Sequence, residues 1–358
     1  MAVYCAIVED SANNVDWNGT SNWGFDATSD KYSPTAHANQ AARDAQYTSV
    51  HASLNAWEGV RDGVGSGDDE YGIIQGLWDS DDTNTFDISG WTVTTITVKA
   101  IGNARHAGVW DDGANSPHRC VVTDNGYVTI SLEDYVTYDG LQIHNTQESD
   151  SSNSCVRVAD TDTIIRECIL NAADQGGEGV DVNTAAATTE IYNCVIYSEH
   201  AHAADGEGVY CDNATTVDVY NTTIYGFYSG CERDAGTMTA TNVISFNNNT
   251  DFDGTITVDY CGSDDGTGTN AQTESGGDWA NEMSGYAGYD FTLDGAGNMY
   301  DNGETDPSGN GETLDITGAT RTVDWSIGAF EYDTGAAPTA ITILATTYYD
   351  RIRRVSGD

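Results

Sequence analysis

An all-β solenoid coiled from short parallel strands is the fold class this sequence predicts. Three observations predict it. Similar strand phrases recur at intervals of 21 to 28 residues, the loops between them vary while the strand cores do not, and no helical periodicity runs through the repeats.

The clearest pair is "TTEIYNCVIY" (188–197) and "TTVDVYNTTIYG" (215–226), which places Asn193 28 positions before Asn221. Three further phrases align with them: "YVTYDGLQI" (135–143), "DTIIRECIL" (162–170) and "TATNVISF" (239–246). The turn column then reads Gly140, Glu167, Asn193, Asn221 and Asn242, at steps of 27, 26, 28 and 21. The next column is Leu141, Cys168, Cys194, Thr222 and Val243. Two residues before the turn stand Tyr138, Ile165, Ile191, Val219 and Ala240. Alternate residues of a strand share a face, so these two columns are the expected interior files. A second series runs in phase with the first: "GGEGVDV" (176–182), "DGEGVYC" (205–211) and "YSGCER" (228–233). Its opening glycines suit corners that need positive φ.

With these phrases in place, the chain resembles the right-handed parallel β-helix proteins of the pectate-lyase-like superfamily. "YVTYDGLQIHN" is similar to a rung phrase of that group. The segment 291–333 resembles the closing segment of many bacterial and phage β-helix proteins, through Phe291, Leu293, Asp301, Gly303, Asp315, Gly318, Arg321, Gly328, Ala329, Glu331 and Tyr332. "YTSVHASLNAW" (47–57) resembles the amphipathic cap helix that precedes a first rung, with Tyr47, Val50, Leu54 and Trp57 on one face. The expected organisation is a cap over 1–88 with a short helix, rungs over 89–262 starting at "WTVTTITVKAI" (91–101), a closing segment over 263–335 and a tail over 336–358. Capping matters because an open solenoid end exposes strand edges and apolar columns.

Composition narrows the partners. Thirteen basic residues against 57 acidic ones leave a net charge of −44, which repels nucleic acid and anionic lipid. Neither nucleic acid nor membrane is an expected partner. Only Lys31 and Lys99 are lysines. The N-terminus "MAVYCAIVED" has no basic start and no apolar h-region, so synthesis in the cytoplasm is expected. The eight cysteines show no CxxC pair, which argues against a zinc cluster. Cys168 and Cys194 sit in one interior column at a spacing that permits a disulfide, yet small buried hydrophobes are the expectation.

Candidate chemistry concentrates in the second series. Glu178 and Glu207 hold equivalent "GEG" positions, with Asp181 beside the first, and paired carboxylates a few ångströms apart are what glycoside hydrolysis needs. The polygalacturonase elements are not present in order, and no Gly-His-Gly occurs. Lyases resembling this fold use Ca²⁺ and an arginine or lysine base; Arg157 and Arg233 are the arginines that share this face, though no arginine–acid motif of those lyases is matched. His200 and His202, two apart in a loop, and Asp264 and Asp265 in "SDD" are the candidate metal ligands, with Ca²⁺ the expected ion if one is bound and no cofactor required. Tyr192, Tyr197, Tyr220 and Tyr225 crowd consecutive rungs, and an outward strip of them would suit a glycan or a partner protein. Arg351, Arg353 and Arg354 make the tail "YYDRIRR" the one basic feature, a docking segment for another subunit.

The expected role is a non-catalytic structural or adhesion protein on a particle surface, since the start and the "IGAFEY" ending look like β-helix proteins among tailed-phage structural genes (head decoration, tail fibre or spike). Its partners would then be other virion or surface proteins, a second copy, or a polysaccharide. The alternative is a polysaccharide depolymerase, lyase or hydrolase, acting extracellularly.

Overall fold

The computed structural model describes residues 3–9, 24–26, 31–33, 48–63, 69–113, 116–123, 126–147, 153–160, 162–172, 176–183, 188–199, 205–213, 216–295, 297–309, 311, 313–321 and 325–332. It is a right-handed parallel β-helix. Three parallel sheets, of ten, seven and seven strands, run along one axis, and each strand pairs with its counterpart one rung away. The ten-stranded first sheet spans about 43 Å at the usual inter-strand spacing. From Ile96–Ala100 to Thr250–Gly254 each rung contributes one strand to each sheet, as in Thr188–Tyr192, Val195–Tyr197 and Glu207–Cys211.

The register reproduces the aligned phrases residue for residue. Ile165 pairs with Ile191, Ile191 with Val219 and Val219 with Ala240. In the second sheet Ile169, Val195, Thr223 and Ile244 are partners in turn, so Cys168, Cys194, Thr222 and Val243 lie one over the next. These residues are fully buried, and Cys261 extends the file by one rung. All eight cysteines are free thiols inside the coil. Burial pushes Cys155 up to about 12, so it packs as a small hydrophobe and not as a nucleophile.

The turn column has a backbone cause. Gly140, Glu167, Asn193, Asn221 and Asn242 all sit at φ between 50° and 72°, the left-handed region that bends one strand into the next. Asparagine tolerates that region better than other side-chain-bearing residues. Glu167 stands there because its carboxylate meets Arg105, which also bridges to Asp139 at 2.7 Å. Arg166 reaches the same Asp139 at 2.8 Å. Burial alone would raise the Asp139 pKa, but Arg166, Arg105 and Lys99 hold it well below the usual carboxylate range.

Glycines of the second series solve a packing problem. A Cβ on Gly208 would collide with Ile224 and lie 2.5 Å from the carbonyl oxygen of Gly230 on the next rung. Gly208→Val is expected to cost about 2–3 kcal/mol through overpacking, read as a lower urea midpoint. Gly288→Ala, where nothing lies within 4 Å, is expected to change stability by less than about 0.5 kcal/mol.

The ends differ from expectation. Within the segment expected as a separate cap, Val3–Ile7 and Glu70–Ile74 continue the first sheet up to Ile96–Ala100, and Phe86–Ile88 continues the third. The coil therefore begins well before residue 89. The expected amphipathic helix over 47–57 is shorter and later. Ser49–His51 is a strand beside Val3–Ile7, and the helix is Leu54–Arg61, capped by Ser53 accepting from the Ala56 amide. Leu54 and Trp57 are its buried face, Val50 lies on the strand, and Tyr47 lies outside the described residues. Its register slips because the β-branched Val50 pairs more profitably with the exposed sheet edge than it would in a helix of so few turns.

The closing segment does more than cover the last rung. It runs back along the outer side of the second sheet. Asn193 Nδ2 donates to the Leu314 carbonyl at 2.9 Å. The Ala329 amide donates to Thr223 Oγ1 at 3.1 Å. Asn242 accepts from the Glu304 amide at 2.6 Å and donates to the Glu304 carbonyl at 2.7 Å. Asn193 and Asn242 of the turn column thus have two jobs, a left-handed backbone and an outward amide that holds the brace. Gly303 and Gly328 lie against this seam, where an added Cβ would press on Asn242 at 2.9 Å and on Ile244 at 2.6 Å.

Candidate functional site

Acidic residues gather on the outer face of the third sheet. Val180 pairs with Val209, so Glu178 and Glu207, each two residues earlier, occupy matching places on adjacent rungs about 4.8 Å apart. Arg157 pairs with Asp181, Asp181 with Tyr210 and Tyr210 with Glu232. The valines of these strands point inward and are fully buried, which turns Asp181 and its row outward. Arg157 Nε lies 3.2 Å from Asp181 Oδ2.

Desolvation governs the chemistry of this group. Glu178 is only 6% exposed and Asp181 5%. Glu178 Oε2 and Asp181 Oδ1 are buried without a hydrogen-bond partner. Burial first, then the charges of Asp181 and Glu207, push Glu178 up to about 9. Burial raises Glu207 to about 7, with Glu232 adding to it. Asp181 rises only to about 6, because the neighbouring Arg157 opposes its burial. Near neutral pH the face therefore holds a protonated carboxyl, Glu178, beside an ionised one, Asp181. Such a split is what acid–base work exploits.

The structure brings Glu178, Asp181, Glu207 and Arg157 together, as their positions in the repeat imply. Arg233 does not join them: its Nε donates to the Gly236 carbonyl at 2.7 Å, at the far end of its strand. His200 and His202 lie outside the described residues, as do Arg351, Arg353 and Arg354. Asp264 and Asp265 are engaged by the chain itself. Asp264 accepts from Trp279 Nε1 at 2.5 Å and from the Asn247 amide at 2.9 Å. Asp265 accepts from the amide and hydroxyl of Thr267. Among the described residues, no three His, Cys, Asp or Glu side chains converge as cation ligands.

The expected open tyrosine strip is corrected by the closing segment. Tyr197 and Tyr225 do stand on the outer side of the second sheet, but Tyr289 stacks on Tyr197 at 5.0 Å and Phe291 lies 5.3 Å from Tyr225. Trp279 covers Phe246 on the next rung at 4.4 Å. Tyr192 and Tyr220 stack face to face at 5.0 Å and are 3% and 5% exposed. Their hydroxyls are bound to Arg166 and Glu190. The physical reason is apolar area: an exposed aromatic file along several rungs is costly in water, and the chain buries it under its own aromatics. The stretch "DWANEMSGYAGYDF" (278–291), with four aromatic residues, was the signal for that cover.

Compared with family models, curated proteins and solved structures, the chain matches none. Its architecture rests on the sheet register, and no helix among the described residues is long and apolar enough to cross a membrane.

Proposed function

We propose that this chain is a rigid, non-catalytic rod displayed on a particle surface, of the kind found among head-decoration and tail-fibre or spike proteins of tailed phages. The observation that carries the reading is the lateral brace. The closing segment bonds three successive rungs at Asn193, Thr223 and Asn242, which stiffens the coil against bending and unwinding. A repeat protein held only by nearest-neighbour contacts frays rung by rung, and a strut across several rungs suppresses that. The resemblance of its start and closing segment to phage β-helix chains supports the setting. A net charge of −44 keeps such a rod soluble and self-repelling along an exposed surface. The outer aromatic file, which would otherwise suit sugar rings, is taken up by the brace.

One observation favours a second reading, a polysaccharide depolymerase: Glu178 protonated beside an ionised Asp181. Incubation of the full chain with bacterial and algal polysaccharides separates the two. No reducing ends and no unsaturated uronates are expected. Release that disappears in Glu178→Gln would replace the rod by the enzyme.

A further inference from the structure

We propose that the carboxylates of Asp181 and Glu207, with the buried carboxyl group of Glu178 between them, form a docking seat for guanidinium groups, and that its occupant is the C-terminal basic segment of the same chain, Arg351 to Arg354. The inference goes beyond the display rod and stands or falls without it.

Three observations carry it. First, the seat contains acceptors that the described chain leaves unused: Glu178 Oε2 and Asp181 Oδ1 are buried, have no partner and belong to residues 6% and 5% exposed. A buried acceptor without a donor costs free energy that a bound donor recovers. Second, the seat already accepts one group of this kind. The Arg157 guanidinium sits 3.2 Å from Asp181 Oδ2, and with the half-exposed Glu207 it forms the rim. A planar fork of N–H donors matches paired carboxylates on adjacent rungs better than a chelated ion does, and no metal-binding group of three converges here among the described residues. Third, the chain has few cations to offer. Of thirteen basic residues, Arg61, Arg105, Arg119, Arg157, Arg166 and Arg321 are committed to carboxylates. Three of the rest fall within four positions of the tail.

The tail has the reach. Eighteen residues separate Tyr332 from Arg351, a span of up to about 60 Å, longer than the first sheet is tall. A chain tethered at that length meets its own seat at a high effective concentration.

Limited trypsin digestion of the full chain at pH 8 and low salt, followed by mass spectrometry, tests this. Cleavage after Arg351, Arg353 and Arg354 is expected at least fivefold slower in the native chain than in the double variant Asp181→Asn/Glu207→Gln, which removes the two acids that are ionised at this pH. The protection is expected to vanish in 1 M NaCl and to be independent of protein concentration. The amide variants lose charge and keep shape, so they fold. Glu304→Gln, an exposed acid elsewhere, serves as the control. Equal cleavage rates in the native chain and the double variant would overturn the seat. Equal loss of protection in Glu304→Gln would mean diffuse attraction to an acidic body, and also overturns it. Protection that grows with protein concentration would overturn the assignment to the same chain.

Discussion

Arg321→Ala is expected to destabilise the protein by about 3–5 kcal/mol and to release the closing segment from the coil. Arg321 is buried and donates to Asn193 Oδ1 at 3.2 Å, to the Gly328 carbonyl at 2.9 Å and to the Ala329 and Ser326 carbonyls at 3.2 Å each. It also faces Glu331 at 3.5 Å and lies 5.3 Å over the Trp325 ring. Removing it leaves the 2%-exposed Glu331 side chain charged in a dry site and strips donors from several carbonyls at once. Urea denaturation followed by tryptophan fluorescence reads the loss. Binding of a hydrophobic dye at low urea reports the uncovering of Tyr197, Phe246 and Ile244. Arg321→Lys keeps the charge without the fork and is expected to recover less than half of the lost stability. A loss below about 1 kcal/mol for the alanine variant would show that the brace is held elsewhere, with the Asp315 and Glu282 carboxylates the alternatives. Asp315 gathers the amides of Thr317, Ala319 and Glu331, and Glu282 those of Ser275, Asn298 and Met299.

The second large effect is in the pH dependence. Glu178, Glu207, Asp251 and Asp181 have carboxyl pKa values raised to about 9, 7, 7 and 6, with burial the first cause in each. A group whose folded pKa exceeds its unfolded value binds protons more tightly when folded. Its stabilisation is complete below the unfolded pKa and is lost as pH climbs through the folded one. These four groups therefore make the chain most stable near pH 4 to 5, with loss spread from pH 5 to about 9. Asp139, held low by Arg166 and Arg105 against its burial, acts oppositely and weakens the fold only in strong acid. Between pH 5 and 9 the Glu178 contribution alone is on the order of 3–6 kcal/mol. Glu178→Gln is expected to raise the melting temperature at pH 9 and to leave it nearly unchanged at pH 5. Melting curves across that range with the same slope as the native chain would remove Glu178 as the source.

How much of this was legible in advance depends on the range of the interaction. Files such as Cys168–Cys194–Thr222 could be read from spacing because a solenoid turns sequence period into vertical stacking, and each contact is repeated from rung to rung. The union of Glu178, Asp181 and Glu207 was legible for the same reason. Arg105 over Gly140 was not, since a residue 35 positions away fills that space and no period announces it. Nor was the orphaned state of Glu178 Oε2, which depends on what packs around a carboxylate and not on its place in a repeat.

By itself, then, the sequence determined the coil, its repeat register and the crowding of tyrosines on consecutive rungs, because strand alternation and period are local properties of the chain. Tertiary structure alone decided which way those side chains point and whether they meet water. The answer lies with Trp279, Tyr289 and Phe291, which come from up to 94 positions further along and carry no periodic signature, yet bury Tyr197 and its neighbours under a brace pinned by Arg321.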